Sequence, residues 1–144
     1  MESHYYTVDV KWTNDRKGEM SSPELIQNIE VATPPQFPKG VEGIWSPEHL
    51  FTAAVSSCLM TTFLAIAENS KLEFSNFECK SRGKLEQVEG KFLMTEVILE
   101  PIVTIKNESE KEKAEKVLQK SEANCLISNS VKSKVTMIPQ IKLM

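Results

Sequence analysis

The sequence predicts an α+β fold with the element order β-β-α-β-β-α-β and a mostly antiparallel sheet. Three observations support this prediction. Residues 46–67 are apolar or small nearly throughout, which is typical of a buried central helix. Segments before and after this stretch alternate between apolar and polar residues, as strands do. Residues 107–124 combine many charges with a narrow apolar stripe, as a surface helix does. The chain of 144 residues is long enough to form one domain with its own core, over residues 1–144.

The stretch 46–67 begins with the signals of a helix N-terminus. Ser46 is suited to cap a helix, Pro47 to its first position, and Glu48 places a negative charge near the positive end of the helix dipole. The rest of the stretch contains no Asp, Glu, Lys or Arg, but serines and threonines interrupt it. Its flanks also lack the Lys/Arg asymmetry of a membrane anchor. We therefore expect the buried core helix of a soluble protein, with Cys58 near its middle.

Five extended segments are predicted, at residues 5–12, 24–32, 74–88, 92–105 and 132–143. The first two are separated by turn formers at 13–18, and a loop rich in proline and glycine follows at 33–43. Glu89 and Gly90 are expected to form a hairpin turn. Pro101 predicts an edge position or a bulge in its strand, because proline cannot donate to a sheet ladder.

The charged segment 107–124 predicts a helix whose inner face is narrow. The stripe consists of Ala114, Val117, Leu118 and Ser121. We interpret the charges around it as a solvated face, and residues 125–131 as a short further turn of helix.

Composition narrows the function classes. The net charge is −3 and no block of Lys and Arg interleaves with aromatic residues, so nucleic-acid binding is not expected. The N-terminus has neither the basic start nor the apolar run of a signal peptide, which predicts a cytoplasmic protein. Three widely spaced cysteines argue against a secreted disulfide framework.

The cysteines Cys58, Cys79 and Cys125 allow four interpretations. Zinc binding is disfavoured because there is no Cys-x-x-Cys motif and His4 and His49 are not at ligand spacing. A Cys/His catalytic pair is also disfavoured, since His49 lies nine residues before Cys58, about 13 Å along a helix. Simple core packing and a thiol redox pair both remain open.

A reactive thiolate at Cys58 requires a positive partner. The residue lies in the middle of its helix, where the dipole has little effect on the pKa. Cations in or near predicted loops and strand ends are Arg16, Lys17 and Arg82. The residues alone do not select one of them.

The helix sequence Ser-Pro-Glu-His-Leu-Phe-Thr-Ala-Ala-Val-Ser-Ser-Cys, which ends at Cys58, resembles the OsmC/Ohr family of thiol peroxidases. In that family the central helix begins Asn/Ser-Pro-Glu-x-Leu and reaches its cysteine ten residues after the Glu. Cys125, which follows Cys58 by 67 residues, matches the family's second cysteine near the end of a second helix. The sequence departs from the family's usual Cys-Pro at this point, because Leu126 follows Cys125.

The resemblance implies a role for each matched residue. Cys58 would be the peroxidatic residue that attacks an organic hydroperoxide, and Cys125 would resolve its sulfenic acid. Arg16, in the context Arg-Lys-Gly, would stabilise the thiolate, and Glu48 would hold that arginine. A dithiol reductant would restore both thiols, with no metal or bound organic cofactor. Cys79 has no counterpart and is expected to be structural.

Family members are intertwined homodimers with sites at the subunit interface, and a length argument agrees. Glu48 and Cys58 are ten residues apart, about 15 Å along one straight helix. An arginine held by Glu48 therefore does not easily reach Cys58 of the same chain, whereas a second chain could supply it. The alternative function is a non-catalytic dimeric ligand-binding or structural protein on the same fold.

Overall fold

The computed structural model, which describes residues 1–144, contains seven strands and three helices. The strands are β1 (Asp9–Asn14), β2 (Lys17–Ser21), β3 (Ile29–Ala32), β4 (Asn76–Val88), β5 (Lys91–Ile105), β6 (Lys134–Met137) and β7 (Gln140–Leu143). The helices are α1 (Pro47–Asn69), α2 (Lys111–Asn124) and α3 (Leu126–Ser130), and a 3-10 turn at Glu108–Glu110 precedes α2. The α+β prediction is confirmed. The chain divides into two units, residues 1–50 and 51–144.

In the first unit, β1, β2 and β3 form an antiparallel sheet with β2 in the middle. Directly opposed residues share one face of such a sheet, so Val10, Met20 and Ile29 line up across one apolar face. The opposite face carries Lys11, Glu19 and Glu30. On the apolar face, Val10 is 69% exposed and Trp12 is 73% exposed. This sheet therefore has an apolar surface that the chain itself leaves largely open.

The sequence does not predict β2, since Lys17–Ser21 contains only one apolar side chain, Met20. The predicted strand at 24–32 is a strand only from Ile29 onward. The turn predicted at residues 13–18 comprises only residues 15 and 16, between β1 and β2. Asp15 turns the chain with a φ of 48° between β1 and β2. Pairing with β1 and β3, rather than an apolar pattern of its own, holds β2 in the sheet.

Helix α1 begins as the sequence predicts. The backbone N–H of His49 donates to the Ser46 side-chain oxygen at 3.1 Å, and the N–H of Leu50 donates to the Ser46 carbonyl at 2.9 Å. Ser46 is fully buried, and its hydroxyl is also 2.7 Å from Nδ1 of the exposed His49. The N-cap prediction is therefore confirmed.

One side of α1 is buried in the second unit. Its buried residues are Val55, Cys58, Leu59, Phe63 and Ala67. Met60 and Leu64, on another side, are 40% and 43% exposed. By length and composition alone this helix is apolar enough to cross a membrane, with 28% of its most apolar window buried, but the core helix of a soluble protein meets the same criterion.

The second sheet is built on the hairpin of β4 and β5. Glu89 and Gly90 form its turn with positive φ angles of 50° and 80°, which confirms the predicted hairpin. Strands β6 and β7 both run parallel to β5, so the sheet is mixed. The segment predicted as one final strand is divided in two at Ile138 and Pro139.

Pro101 is neither at a sheet edge nor in a bulge, contrary to the sequence prediction. It is buried within β5 and paired with Cys79 of β4. On the other side of β5, β6 pairs as far as Leu99 and β7 begins pairing at Ile102. Pro101, which has no backbone N–H, therefore lies beside the break between β6 and β7.

Helix α2 packs its narrow stripe into the same core as α1 and β5. The buried residues of α2 are Ala114, Val117, Leu118 and Ser121, as the sequence predicts. Three of them join Phe63 of α1 and Val103 and Ile105 of β5 in one cluster. This packing fixes the C-terminal end of α2, where Cys125 follows, relative to the middle of α1.

Candidate active site

Cys58 and Cys125 come together in the second unit. Cys58 lies in the middle of α1 and is 8% exposed, and Cys125 lies between α2 and α3 and is fully buried. Both are free thiols, and they are neighbours, since a hydrogen bond between their side chains lowers the pKa of Cys58 and raises that of Cys125. The structure therefore brings together the two cysteines that the resemblance pairs.

The backbone around Cys125 makes a corner between two helices. Its N–H donates to the Glu122 carbonyl at 3.4 Å, and its own carbonyl accepts from the N–H of Asn129 at 3.0 Å. Between these bonds the residue is extended, with φ −69° and ψ 110°. The corner places Leu126 and Ile127 near Cys58, and the amides of both residues help to lower the pKa of its thiol.

The environment of Cys58 favours its thiolate. Burial alone would raise its pKa, because it removes water from the charged form. Donors from Cys125, the Ile127 amide, the Thr62 hydroxyl and the Leu126 amide outweigh burial and lower the pKa of Cys58 below that of an ordinary thiol. The Thr62 oxygen lies 3.9 Å from the Cys58 sulfur. Cys58 is therefore prepared to act as a nucleophile.

Cys125 is affected in the opposite direction. Burial raises its pKa, and its hydrogen bond to Cys58 raises it further, since the proton it donates is harder to lose. The neighbouring Ser128 lowers the pKa and offsets only part of this effect. The pair thus combines one sulfur whose pKa is lowered with one whose pKa is raised.

Arg16 and Glu48 line one cavity in the first unit, with a volume of about 600 Å³. Arg16 is exposed in the turn between β1 and β2, where its carbonyl accepts from the Thr33 N–H at 3.2 Å. Lys17 also lines this cavity, together with apolar residues that include Trp12. The four predicted site residues therefore form two pairs, one in each unit.

Arg82 and Cys79, the other candidate residues from the sequence, each have a local partner away from Cys58. Arg82 is exposed and lies 3.7 Å from the Glu100 carboxylate. Cys79 is half-buried against the cluster that contains Val55 and Leu99, and burial raises the pKa of its thiol. No group of three or more His, Cys, Asp or Glu side chains is arranged to hold a metal ion.

The sequence prediction missed Thr62 and the two amide donors. Thr62 follows Cys58 by four residues, so helical spacing could have indicated that their side chains are neighbours. The Leu126 and Ile127 amides had no comparable signal, because a backbone group has no sequence signature.

The fold and the two neighbouring buried thiols place this chain among α+β proteins with a dithiol centre. The sequence model of the OsmC-like protein family matches residues 40–139, and the chain therefore belongs to the OsmC-like family. This confirms the family that the helix sequence indicated.

Two relatives align with nearly the whole chain. The uncharacterized protein YmaD of Bacillus subtilis is 26% identical over 140 residues, which cover 94% of this chain and 91% of YmaD. The structure of an OsmC-like protein of unknown function from Vibrio cholerae has a TM-score of 0.85 and 26% identity, and covers 95% of this chain and 99% of its own.

A more distant likeness concerns the fold alone. The structure of OhrB, the organic hydroperoxide resistance protein of Bacillus subtilis, has a TM-score of 0.71 and 19% identity. The match covers 96% of this chain and 98% of OhrB.

Proposed function

We propose that this protein is a thiol-dependent peroxidase that reduces organic hydroperoxides. The observation that carries the proposal is the hydrogen-bonded pair of Cys58 and Cys125, whose pKa values are shifted in opposite directions. A peroxidatic cysteine needs a thiolate, and a resolving cysteine must remain a neighbouring thiol until the first step is complete. Family membership and the hydroperoxide resistance named for OhrB support this substrate class.

In the first step, the Cys58 thiolate attacks the terminal oxygen of the hydroperoxide. The O–O bond breaks, the alkoxide takes up a proton and leaves as an alcohol, and Cys58 becomes a sulfenic acid. Cys58 has lost two electrons and the peroxide has gained them.

In the second step, the Cys125 sulfur attacks the sulfenic sulfur of Cys58. The S–O bond breaks, the Cys125 proton leaves with the hydroxyl as water, and a disulfide forms. A dithiol reductant then exchanges with this disulfide, supplies two electrons and two protons, and is itself released as a disulfide. No metal and no bound cofactor takes part in the cycle.

We further propose that the active form is a homodimer in the cytoplasm, where thiols stay reduced. Arg16 and Glu48 of one chain would complete the Cys58 site of the other, with Arg16 opposing the thiolate charge. The apolar faces that the single chain leaves exposed support an association of this kind.

Peroxide consumption tests the catalytic proposal. The reduced protein is mixed with cumene hydroperoxide and dithiothreitol, and peroxide loss is followed for the wild type and for Cys58→Ser, Cys125→Ser and Cys79→Ser. We expect turnover in the wild type and in Cys79→Ser, the matched control. In Cys58→Ser we expect a loss of at least about a hundredfold, since removal of a catalytic nucleophile can cost several orders of magnitude in rate. Turnover that persists in Cys58→Ser would contradict the proposal.

The cavity lined by Arg16, Lys17 and Trp12 favours a second candidate, a dimeric ligand-binding protein without catalysis. Intact mass after one equivalent of peroxide separates the two functions. A loss of two hydrogens, mapped to Cys58 and Cys125, supports the two-cysteine cycle. An unchanged mass supports ligand binding.

A further inference from the structure

Two threonines follow Cys58 on helix α1 and bond to different atoms of that residue. The Thr61 hydroxyl donates to the Cys58 carbonyl at 3.1 Å. The Thr62 hydroxyl oxygen instead lies 3.9 Å from the Cys58 sulfur, within hydrogen-bond distance for a sulfur partner. Thr61 therefore bonds to the helix backbone, and Thr62 bonds to the thiol.

This difference follows from the number of acceptor sites on the Cys58 carbonyl. A threonine in a helix commonly donates its hydroxyl to the carbonyl three or four residues earlier. The Cys58 carbonyl has two lone pairs, of which the helical N–H of Thr62 uses one and the Thr61 hydroxyl uses the other. The Thr62 hydroxyl is thus left to bond with the sulfur, which lies one turn earlier on the same side of the helix.

The direction of the hydrogen bond between Thr62 and Cys58 is fixed once Cys58 ionises. In the thiol form either atom can be the donor. A thiolate has no proton, so the Thr62 hydroxyl must then donate, and hydrogen bonds to a charged acceptor are shorter and stronger than neutral ones. Burial raises the pKa of Cys58, and the donors beside it, with Thr62 among them, lower it. The contact therefore stabilises the charged form more than the neutral form.

We propose that Thr62 is a further residue of the Cys58 site, whose hydroxyl donates a hydrogen bond to the Cys58 thiolate and holds the sulfur in its reactive position. Because Thr62 and Cys58 belong to one helix, each chain supplies this donor to its own cysteine. Arg16, in contrast, reaches the site only in the dimer proposed above. The consequence of the Thr62 donor for peroxide turnover rests on the proposed function.

Few other groups around Cys58 can titrate. Cys125, between α2 and α3, is the neighbouring thiol. Cys79 on β4 packs against the apolar cluster to which α1 contributes. On α1 itself, the ionisable side chains nearest to Cys58 are His49 and Glu68, nine and ten positions away. Once Cys79 and Cys125 are replaced, a thiol titration therefore reports Cys58 alone.

The two threonines allow a matched set of substitutions. Thr62→Val removes the hydroxyl and keeps the branched shape at a half-buried position. Thr62→Ser keeps the hydroxyl and removes the methyl group. Thr61→Val removes the hydroxyl that bonds to the Cys58 carbonyl, and it controls for a general effect on the helix.

Titration of the Cys58 thiolate tests the proposal. All proteins carry Cys79→Ser and Cys125→Ser, so that Cys58 is the only thiol and a hydroxyl donor remains at position 125. Ultraviolet thiolate absorbance is followed against pH. We expect Thr62→Val to contain about three- to tenfold less thiolate on the acidic side of its midpoint, the range for the loss of one ordinary hydrogen bond. Thr62→Ser and Thr61→Val are expected to keep the midpoint of the parent protein.

An unshifted midpoint in Thr62→Val overturns the inference, and so does an equal shift in Thr61→Val or Thr62→Ser. Circular dichroism and thermal unfolding check that each variant is folded. Should Thr62→Val fail to fold, Thr62→Ala takes its place, because alanine also lacks the hydroxyl and favours a helix. The same shift is expected for Thr62→Ala, and an unshifted midpoint there overturns the inference.

Peroxide turnover provides a separate readout in the protein that keeps all three cysteines. We expect Thr62→Val to slow turnover at pH values below its midpoint, by less than the loss of thiolate, since a more basic thiolate is also more nucleophilic. A shifted midpoint with no Cys58-dependent turnover in the wild type supports the Thr62 hydrogen bond and contradicts the peroxidase. Turnover with an unshifted midpoint does the reverse, so the two proposals fail separately.

Discussion

At the scale of single residues, the two thiols are both buried, yet we expect them to ionise at different pH. Burial raises the pKa of both Cys58 and Cys125. The hydrogen bond between them works in opposite directions, because it stabilises the thiolate of the acceptor and the protonated form of the donor. Further donors near Cys58 lower its pKa below the ordinary value for a thiol. The pKa of Cys125 lies above that value.

The contribution of Cys125 to Cys58 is separable from its role as a resolving thiol. Cys125→Ser keeps a donor beside Cys58, Cys125→Ala removes it, and neither variant can form the disulfide. We expect Cys58 in Cys125→Ala to carry about tenfold less thiolate on the acidic side of its midpoint than in Cys125→Ser, since a hydrogen bond to a charged group contributes about 1.5 kcal/mol or more. Ultraviolet thiolate absorbance in a Cys79→Ser background measures the difference. Superimposable titrations of the two variants would show that the Cys125 proton does not act on Cys58.

The candidate site was predictable from the sequence only in part. The sequence identifies Cys58 and Cys125 through a family resemblance, because a separation of 67 positions says nothing by itself about their distance. Thr62 follows from helical spacing. The effect of the Leu126 amide on the pKa of Cys58 does not, since a backbone group has no sequence signature.

At the scale of elements, α1 was predictable because its signals are local. Ser46, Pro47 and Glu48 act within the first turn, and the apolar stretch that follows is continuous. Strand β2 was not predictable, because its single apolar residue, Met20, gives no pattern and its place depends on two neighbouring strands. Pro101 was misplaced for the same reason, since the break between β6 and β7 that accommodates it lies far away in sequence.

The N-cap of α1 provides a stability prediction. Ser46 is fully buried and accepts from the His49 N–H at 3.1 Å. Ser46→Ala leaves that donor unsatisfied and is expected to lower the free energy of unfolding by about 1 kcal/mol, the usual cost of losing an N-cap. Urea unfolding measures the change.

A matched control is available in the same helix. Ser57 is exposed and bonds only to the Ala54 carbonyl at 3.4 Å, so Ser57→Ala should be neutral or slightly stabilising. Equal urea midpoints for Ser46→Ala and Ser57→Ala would show that the cap contributes nothing to stability.

At the scale of the whole molecule, each unit exposes apolar surface. The first sheet leaves Val10 and Trp12 more than half exposed, and α1 exposes Met60 and Leu64. Soluble monomers rarely carry large contiguous apolar patches, and a second copy of the chain is the occupant that the proposed shared site requires. We expect the protein to sediment at twice the 16.3 kDa mass of the chain.

Disruption of the exposed face of α1 tests this association. Leu64→Glu places a charge on that face and is expected to shift the protein to the mass of one chain. Glu115→Lys, a charge change at an exposed position of α2, should leave the mass unchanged. A wild-type protein that is folded and sediments as a single chain would contradict the dimer.

A shared site makes a sharper prediction, because two defective chains can then repair one another. Cys58→Ser lacks the nucleophile and Arg16→Ala lacks the proposed cation, so each homodimer is expected to be nearly inactive. In a mixed dimer, Arg16 of the Cys58→Ser chain meets Cys58 of the Arg16→Ala chain, and one of the two sites is complete. Random exchange of subunits across a two-fold interface should therefore restore about a quarter of wild-type peroxide turnover. Exchange is confirmed by native mass spectrometry of the mixture. Mixed dimers that form without any gain in turnover would place Arg16 and Cys58 of each site in the same chain, or leave Arg16 out of the site.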